Sequence, residues 1–304
     1  MSAPPSPPRP RPRRTVLTAG AGAVRAAIDP AAGGRLASLE VAGAERLVGP
    51  PQHDDPLDSL HWGCFPMAPW AGRLRDATVP WRGRTVPVTP TLGPHGLHGV
   101  AWQLPHTVRQ RDASTAELAC LLPRSRWPFG GRLRQRLELA RDGLMWTLTV
   151  EAASAMPVAV GWHPWFARPT EGDLALTVRG QRVLETDEAL LPTGRVRQAS
   201  EAEDLRGGPA LGERRLDHAV VDAVAPATVR WPDLTLTVTW DDPITAVVVH
   251  SPPEGVCVEP QTAWPDAITL AAQGRDDTGL VTLAGGEALT ATMWWRWQAA
   301  SGDR

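Results

Sequence analysis

The sequence predicts an all-β protein folded as one large antiparallel domain. Three observations carry that expectation. From residue 15 onward, strand-like segments of four to eight residues alternate with Gly, Pro and Asp punctuation. Amphipathic helical windows are scarce, and the strand–helix–strand alternation of a parallel sheet is missing. Residues 15–300 show no fixed-period repeat and no Gly/Ser linker, which argues against propellers, solenoids and separate domains. A chain of 304 residues can bury about three quarters of the surface its unfolded form exposes. That is enough for two or more packed sheets.

Taken in chain order, residues 1–14 (MSAPPSPPRPRPRR) hold almost nothing to bury and are expected to form a disordered Pro/Arg-rich tail. Arg13-Arg14 and the apolar run Thr15–Val24 superficially resemble a twin-arginine export signal. Arg25 interrupts that run, and no small-residue cleavage site precedes Asp29-Pro30. Residues 15–29 therefore read as two short strands around Gly20–Gly22. Leu133–Leu139 (LRQRLEL) and Leu144–Glu151 (LMWTLTVE) alternate with period two and meet at Asp142-Gly143, a strong hairpin signal. Asp173–Arg179, Leu234–Trp240, Ala246–His250 and Leu289–Trp297 complete the clear strands. No run approaches the ~20 apolar residues of a membrane span.

Composition narrows the partners. The formal charge is −2 and no basic face is concentrated outside Arg9–Arg14, so neither nucleic acid nor membrane is expected as a partner. All 31 basic residues are Arg, and Lys, Asn and Tyr are absent. These are residues with AT-rich codons, which points to a GC-rich genome. Sites that ordinarily use Asn, Tyr or Lys must be built otherwise here. Cys64, Cys120 and Cys257 form no CxxC pair, so reduced thiols in a cytoplasmic setting are expected.

Four segments carry polar groups that a simple strand does not need. In Phe65–Asp76 (FPMAPWAGRLRD), Arg73 follows a glycine in a Pro-shaped loop; its fork of donors suits sugar hydroxyls or a carboxylate, though alone it reads as a surface arginine. In Gly93–Gly99 (GPHGLHG), His95 and His98 are bracketed by glycines, open to ligand contact, metal binding or a plain loop role. In Val160–Phe166 (VGWHPWF), His163 precedes a proline, is biased to extended geometry and sits among aromatics, as a tuned acid or base or as a core histidine. In Val256–Thr262 (VCVEPQT), Glu259 ends an apolar run, a setting that raises a carboxyl pKa as a general base near neutrality requires.

HGLHG, GWHPWF and VEPQT, in this order and at these spacings, resemble the aldose 1-epimerase (galactose mutarotase) family. Pro69–Leu74 (PWAGRL), Gly33–Leu36, Leu39–Leu47 and Leu216–Val220 (LDHAV) extend the resemblance over nearly all of residues 15–297. The resemblance implies a β-supersandwich with an open groove for one hexose and a cofactor-independent, metal-free isomerase. Glu259 would be the base and His163 the acid, with His98 at the ring-oxygen side; Arg73 and Asp217 would grip hydroxyls, Asp222 being close to Asp217. Trp70, Trp165 and Trp264 lie beside these residues and are the tryptophans considered for sugar contact.

Two departures stand out: Gly72 replaces the family's usual Asn, and His95 stands where Asn is common. Both are expected to mark drift in sugar contacts. A hexose-phosphate epimerase would carry an arginine soon after His98-Gly99, where this chain has Val100-Ala101-Trp102. A non-catalytic sugar-binding protein on the same fold, and a metal-dependent β-barrel enzyme using His95, His98, His163 and Glu259, are the readings from other classes.

Overall fold

The computed structural model describes residues 14–51 and 58–300. The tail expected over residues 1–14 therefore lies outside the described residues except for Arg14, whose guanidinium donates to Asp29 Oδ2 at 3.3 Å. Thr15–Ala19 and Val24–Asp29 pair as antiparallel strands around the turn at Gly20–Gly22, as expected. No helix among the described residues is long and apolar enough to cross a membrane.

Two large sheets pack face to face. A 12-stranded sheet carries, in spatial order, the strands Thr15–Ala19, Val24–Asp29, Arg35–Val41, Cys64–Met67, Gly161–Pro164, Gly255–Gln261, Ala246–His250, Asp217–Val220, Arg182–Thr186 and Pro192–Gln198, with two short strands beside this path. An 8-stranded sheet runs from Thr107–Gln110 through the hairpin Gly131–Ala140/Gly143–Ala152 and Ala288–Ala299 to Ala175–Arg179. Every ladder among the described residues is antiparallel; one isolated bridge, Ala68–Gly99, is parallel. One α-helix, Ala267–Ala272, is present among the described residues.

Alternation decides which faces meet. Leu133, Leu137, Trp146 and Leu148 of the small sheet join Ile28, Leu39, Phe166, Val256 and Val258 of the large sheet in one buried cluster. Gln135 breaks the apolar pattern on this inward face, and its amide is fully partnered. Trp146 Nε1–H donates to Gln135 Oε1 at 3.0 Å, while Gln135 Nε2 donates to Gly34 O at 3.3 Å and to His106 Nδ1 at 2.9 Å. His106 is left with its proton on Nε2, facing Ala101 O at 3.2 Å. A polar residue inside the sandwich thus ties the two sheets without stranding a donor.

The Asp142-Gly143 hairpin forms, with a local geometry of its own. Ala140 pairs with Gly143, so Arg141 and Asp142 are the turn residues, and neither has positive φ. The glycine follows the turn, where type I turns favour it. A Cβ on Gly143 would lie 2.5 Å from Trp295 O on the adjoining strand, so close strand approach excludes a side chain. Gly143→Ala should therefore lower stability by about 1–3 kcal/mol. Urea unfolding checks this, and an unchanged midpoint would show that the ladder shifts to make room.

Candidate active site

A cleft opens on the face of the large sheet turned away from the sandwich core. The Gly255–Gln261 strand explains it by parity: Val256 and Val258 point into the core, while Glu259 and Gln261 line the cleft. Cross-strand partners extend the floor. Glu259 pairs with Val248 and then Ala219, and Cys257 pairs with His250 and then Asp217. The opposite wall comes from Gly72, Arg73, Leu97 and His98. Leu190 and Pro192 form a lip. The cleft spans about 980 Å³ including its mouth and the open solvent before it.

Glu259, expected at the end of its apolar strand, lies inside it; the strand continues through Pro260 to Gln261. The ladder with Gly161–Pro164 is paired at Gly161–Gln261 and resumes at Phe166–Val256. Pro164 and Pro260 lack the N–H that a ladder needs. In the intervening stretch His163 and Glu259 meet, with Nε2 3.3 Å from Oε1. His163 stacks between Phe65, 4.7 Å away at 22°, and Trp165, 5.7 Å away at 11°. Burial pushes the Glu259 carboxyl well above the ordinary carboxylate range, with Asp217 adding to the rise and the Gln261 hydrogen bond opposing it. Burial, and then His98 and His250, hold the His163 imidazolium well below its ordinary value. Each group is driven toward its neutral form, so the pair tends to hold one proton between them.

His98 is fixed by its backbone. Its N–H donates to Gly72 O at 2.9 Å, and the Gly72 N–H donates to His98 Nδ1 at 3.3 Å. With Nδ1 accepting, the neutral ring carries its proton on Nε2. Burial, Arg73 and His250 lower its pKa to about 3, so it stays a neutral donor. Arg73 is half-buried on a short strand paired with Leu97, and its guanidinium makes no hydrogen bond among the described residues. Asp217 opens the Asp217–Val220 strand, and its Oδ2 lies 3.7 Å from His250 Nδ1. All five expected site residues, Glu259, His163, His98, Arg73 and Asp217, therefore line one cleft.

The aldose 1-epimerase family profile matches residues 15–296. The chain belongs to the aldose 1-epimerase family. An uncharacterized Escherichia coli K12 protein, YphB, is 32% identical over 108 residues, which is 34% of this chain and 36% of that protein. The match thus spans about a third of that curated relative's length. Among solved structures, the chain superposes on a candidate aldose 1-epimerase of Escherichia coli K12 with TM-score 0.81 at 19% identity, covering 94% of this chain and 99% of that one. A GalM/aldose epimerase homologue from C. elegans gives TM-score 0.80 at 16% identity, covering 95% and 99%. A galactose 1-epimerase from Lactobacillus acidophilus gives 0.73 at 18% identity, covering 92% of each. At these identities the superpositions speak for the fold, the galactose mutarotase-like supersandwich.

Several site residues of this family member were not singled out from sequence. His250 ends the Ala246–His250 strand, and its parity with Cys257 and Asp217 brings it to the cleft. Gln261, also at the floor, donates from Nε2 to Glu259 Oε2 at 3.3 Å. Period-two alternation from Glu259 could have found Gln261, whereas His250 needed the strand order. Other readings are corrected. His95 does not line the cleft: its Nδ1 accepts the Asp76 N–H at 3.0 Å, so it shapes a turn. Asp222 accepts the Gln181 and Arg182 N–H groups and does not line the cleft. Of the three tryptophans considered, Trp165 lines the cleft; Trp70 packs on Trp127, and Trp264 lies under the Arg275 guanidinium.

His98, His163 and Glu259 place one potential ligand atom each within 4.8 Å of one another. Their chemistry fits a metal poorly. A ligating histidine donates from its other nitrogen, whereas His98 Nδ1 accepts from Gly72, which leaves a proton on Nε2.

The buried imidazoles have a consequence for stability. His98 is lowered to about 3, His106 to about 4, and His163 well below its ordinary value, each first by burial. Below about pH 6.5 the unfolded chain binds protons that the folded chain refuses, so stability should fall on acidification, by up to about 1.4 kcal/mol per pH unit for each group. Glu259, raised in the fold, opposes part of this above its unfolded value. Urea unfolding at pH 6.5 and 5.0 should show the lower stability at pH 5.0; equal stabilities would mean that these rings take up protons without unfolding.

Proposed function

We propose that the chain is an aldose 1-epimerase that interconverts the α and β anomers of an unphosphorylated hexose. The observation carrying this reading is the buried Glu259–His163 contact at the floor of a sugar-sized cleft. Glu259 takes the proton of the anomeric hydroxyl, and the O1–H pair becomes the second bond of a C1 carbonyl. The C1–O5 bond breaks, and its electrons take a proton from His163 at O5. Rotation about C1–C2 turns the other carbonyl face toward O5, and the same groups return the protons on closure. His98 Nε2–H donates near the ring oxygen, while Arg73 and Asp217 hold hydroxyls. General acid and base contribute about 10²–10⁴ each, with neither cofactor nor metal.

Arg73 is the one arginine among the lining residues, and Asp217 and Glu259 share the cleft with it. That balance suits a neutral sugar better than a phosphate dianion. The three buried free thiols accord with a reducing cytoplasmic setting.

Exchange between anomer signals in NMR, across a panel of aldoses, tests the reading. Glu259→Gln should lose at least about 10² in kcat with little change in sugar affinity. Near-normal turnover in that variant would remove the base assignment. The profile of kcat/KM against pH should be bell-shaped, the acid limb marking a second proton on the pair and the alkaline limb loss of the shared one. His163→Asn should lose the alkaline limb; a profile unchanged in that variant would make His163 structural. Activity should survive extended EDTA dialysis, whereas loss restored by a divalent ion would favour the metal-dependent reading. Tight sugar binding without any anomer exchange would favour the non-catalytic one.

A further inference from the structure

We propose that Asp266, acting with Arg75, is a positioning residue that sets both the hydroxyl-gripping Arg73 and the Leu190–Pro192 lip. The proposal rests on the epimerase reading for what Arg73 holds. Its starting point is a mismatch. Asp266 stands at the N-cap of the Ala267–Ala272 helix, yet its side chain makes no capping bond to that helix's N–H groups. A capping aspartate ordinarily spends its carboxylate there. This carboxylate is turned instead toward the Arg73–Arg75 segment.

The contacts surround Arg73. The Asp266 N–H donates to Arg73 O at 2.9 Å, and the Arg75 N–H donates to Asp266 Oδ1 at 3.0 Å. Thr269 Oγ1–H donates to the same Oδ1 at 2.7 Å, holding the carboxylate in place. Pro265 closes on the preceding residue: a Cβ on Gly72 would lie 2.7 Å from the Pro265 Cβ. From the other side, Arg73 pairs with Leu97 and Gly72 O takes the His98 N–H. The backbone that carries Arg73 is thus gripped between the His98 loop and the Pro265-Asp266 corner.

Arg75 passes the placement to the lip. Its Nε lies 3.4 Å from Asp266 Oδ2, a fully buried carboxylate, and its Nη2 donates to Pro192 O at 3.2 Å. Nη2 is also 3.7 Å from Asp187 Oδ2, and Asp187 Oδ1 accepts the Ala189 and Leu191 N–H groups at 3.0 Å each. Leu190 is held there at φ 58°, a backbone region costly for a branched side chain. The guanidinium thus donates to one backbone carbonyl while standing within ion-pair distance of two carboxylates.

Steady-state kinetics on the aldose that the wild type turns over fastest, with sugar titrations by calorimetry, test the proposal. Asp266→Ala should raise KM and the dissociation constant about tenfold while kcat stays within about threefold, because Arg73 holds hydroxyls and not the reacting atoms. Asp266→Asn keeps an acceptor for the Arg75 N–H and should recover much of that loss. Arg75→Met removes the link to the lip from a partly exposed position and should raise KM by about threefold or more even where Asp266→Ala folds poorly. Wild-type KM in Asp266→Ala and Arg75→Met, whatever their melting temperatures, would overturn the proposal. So would a fall in kcat at constant KM. Calorimetry reads the sugar grip without turnover, so failure of the epimerase reading would show separately, as a wild type that binds sugar and exchanges no anomers.

Discussion

The contact between Glu259 and His163 is the constraint around which the molecule is arranged. A carboxyl and an imidazole side by side in a dry interior are costly unless each satisfies the other. Keeping them dry requires the aromatic plates Phe65 and Trp165 on the two faces of the imidazole. Keeping them in register requires that their strands belong to a sheet whose other face is locked to a second sheet through Val256, Val258 and Phe166. The ladder between those strands is interrupted opposite this pair, and Pro164 and Pro260, which have no N–H to give it, stand in the gap. The prolines at the centre of the sheet are otherwise hard to reconcile with strand chemistry.

How much of this was legible in the sequence depends on how local each signal is. Leu234–Trp240 and Ala246–His250 form over the expected residues because period-two alternation is a property of the segment itself. Asp142-Gly143 marked its hairpin correctly, yet the reason for the glycine lies in Trp295, far along the chain. His163, His98 and Glu259 stood out because glycines, prolines and aromatics crowd each of them, and that crowding is local. His250 ends a run of valines and gives no such signal; only the order of strands in the large sheet makes it a neighbour of Asp217 and Trp165. His95 shared the glycine-bracketed motif with His98 and still turned to a loop backbone. Two residues of one motif can face opposite ways, and spacing alone does not say which.

The absence of Asn, Lys and Tyr leaves its mark on the wall of the cleft. Gly72 adopts φ 70° and lies against Pro265, so the position excludes a side chain by contact as well as by conformation. What it offers instead is its N–H, which selects the His98 tautomer. A backbone group thereby does for the imidazole what an amide side chain could have done. Histidine takes over much of the remaining polar lining: His61, His98, His163, His218 and His250, five of the chain's eight, border the cleft. Burial lowers the pKa of the last four first of all. His98, His218 and His250 are thereby held toward their neutral forms and do not accumulate positive charge beside Arg73, which leaves His163 as the ring that the proposed reaction charges.

Neutrality also bears on the ring-opening step of the proposed reaction. Before ring opening the working pair must be carboxylate and imidazolium; afterwards it is carboxylic acid and imidazole. The net charge is the same in both, so no charge is left uncompensated in the interior. The two states differ in how much desolvation they suffer. The separated charges are penalised by burial, which is the main cause holding Glu259 high and His163 low. Passing one proton to O5 and receiving another from O1 relieves that penalty as the ring opens. A wetter cleft would solvate the ion pair and weaken this bias, so the aromatic plates that dry the site contribute to the proton transfers as well as to the fold.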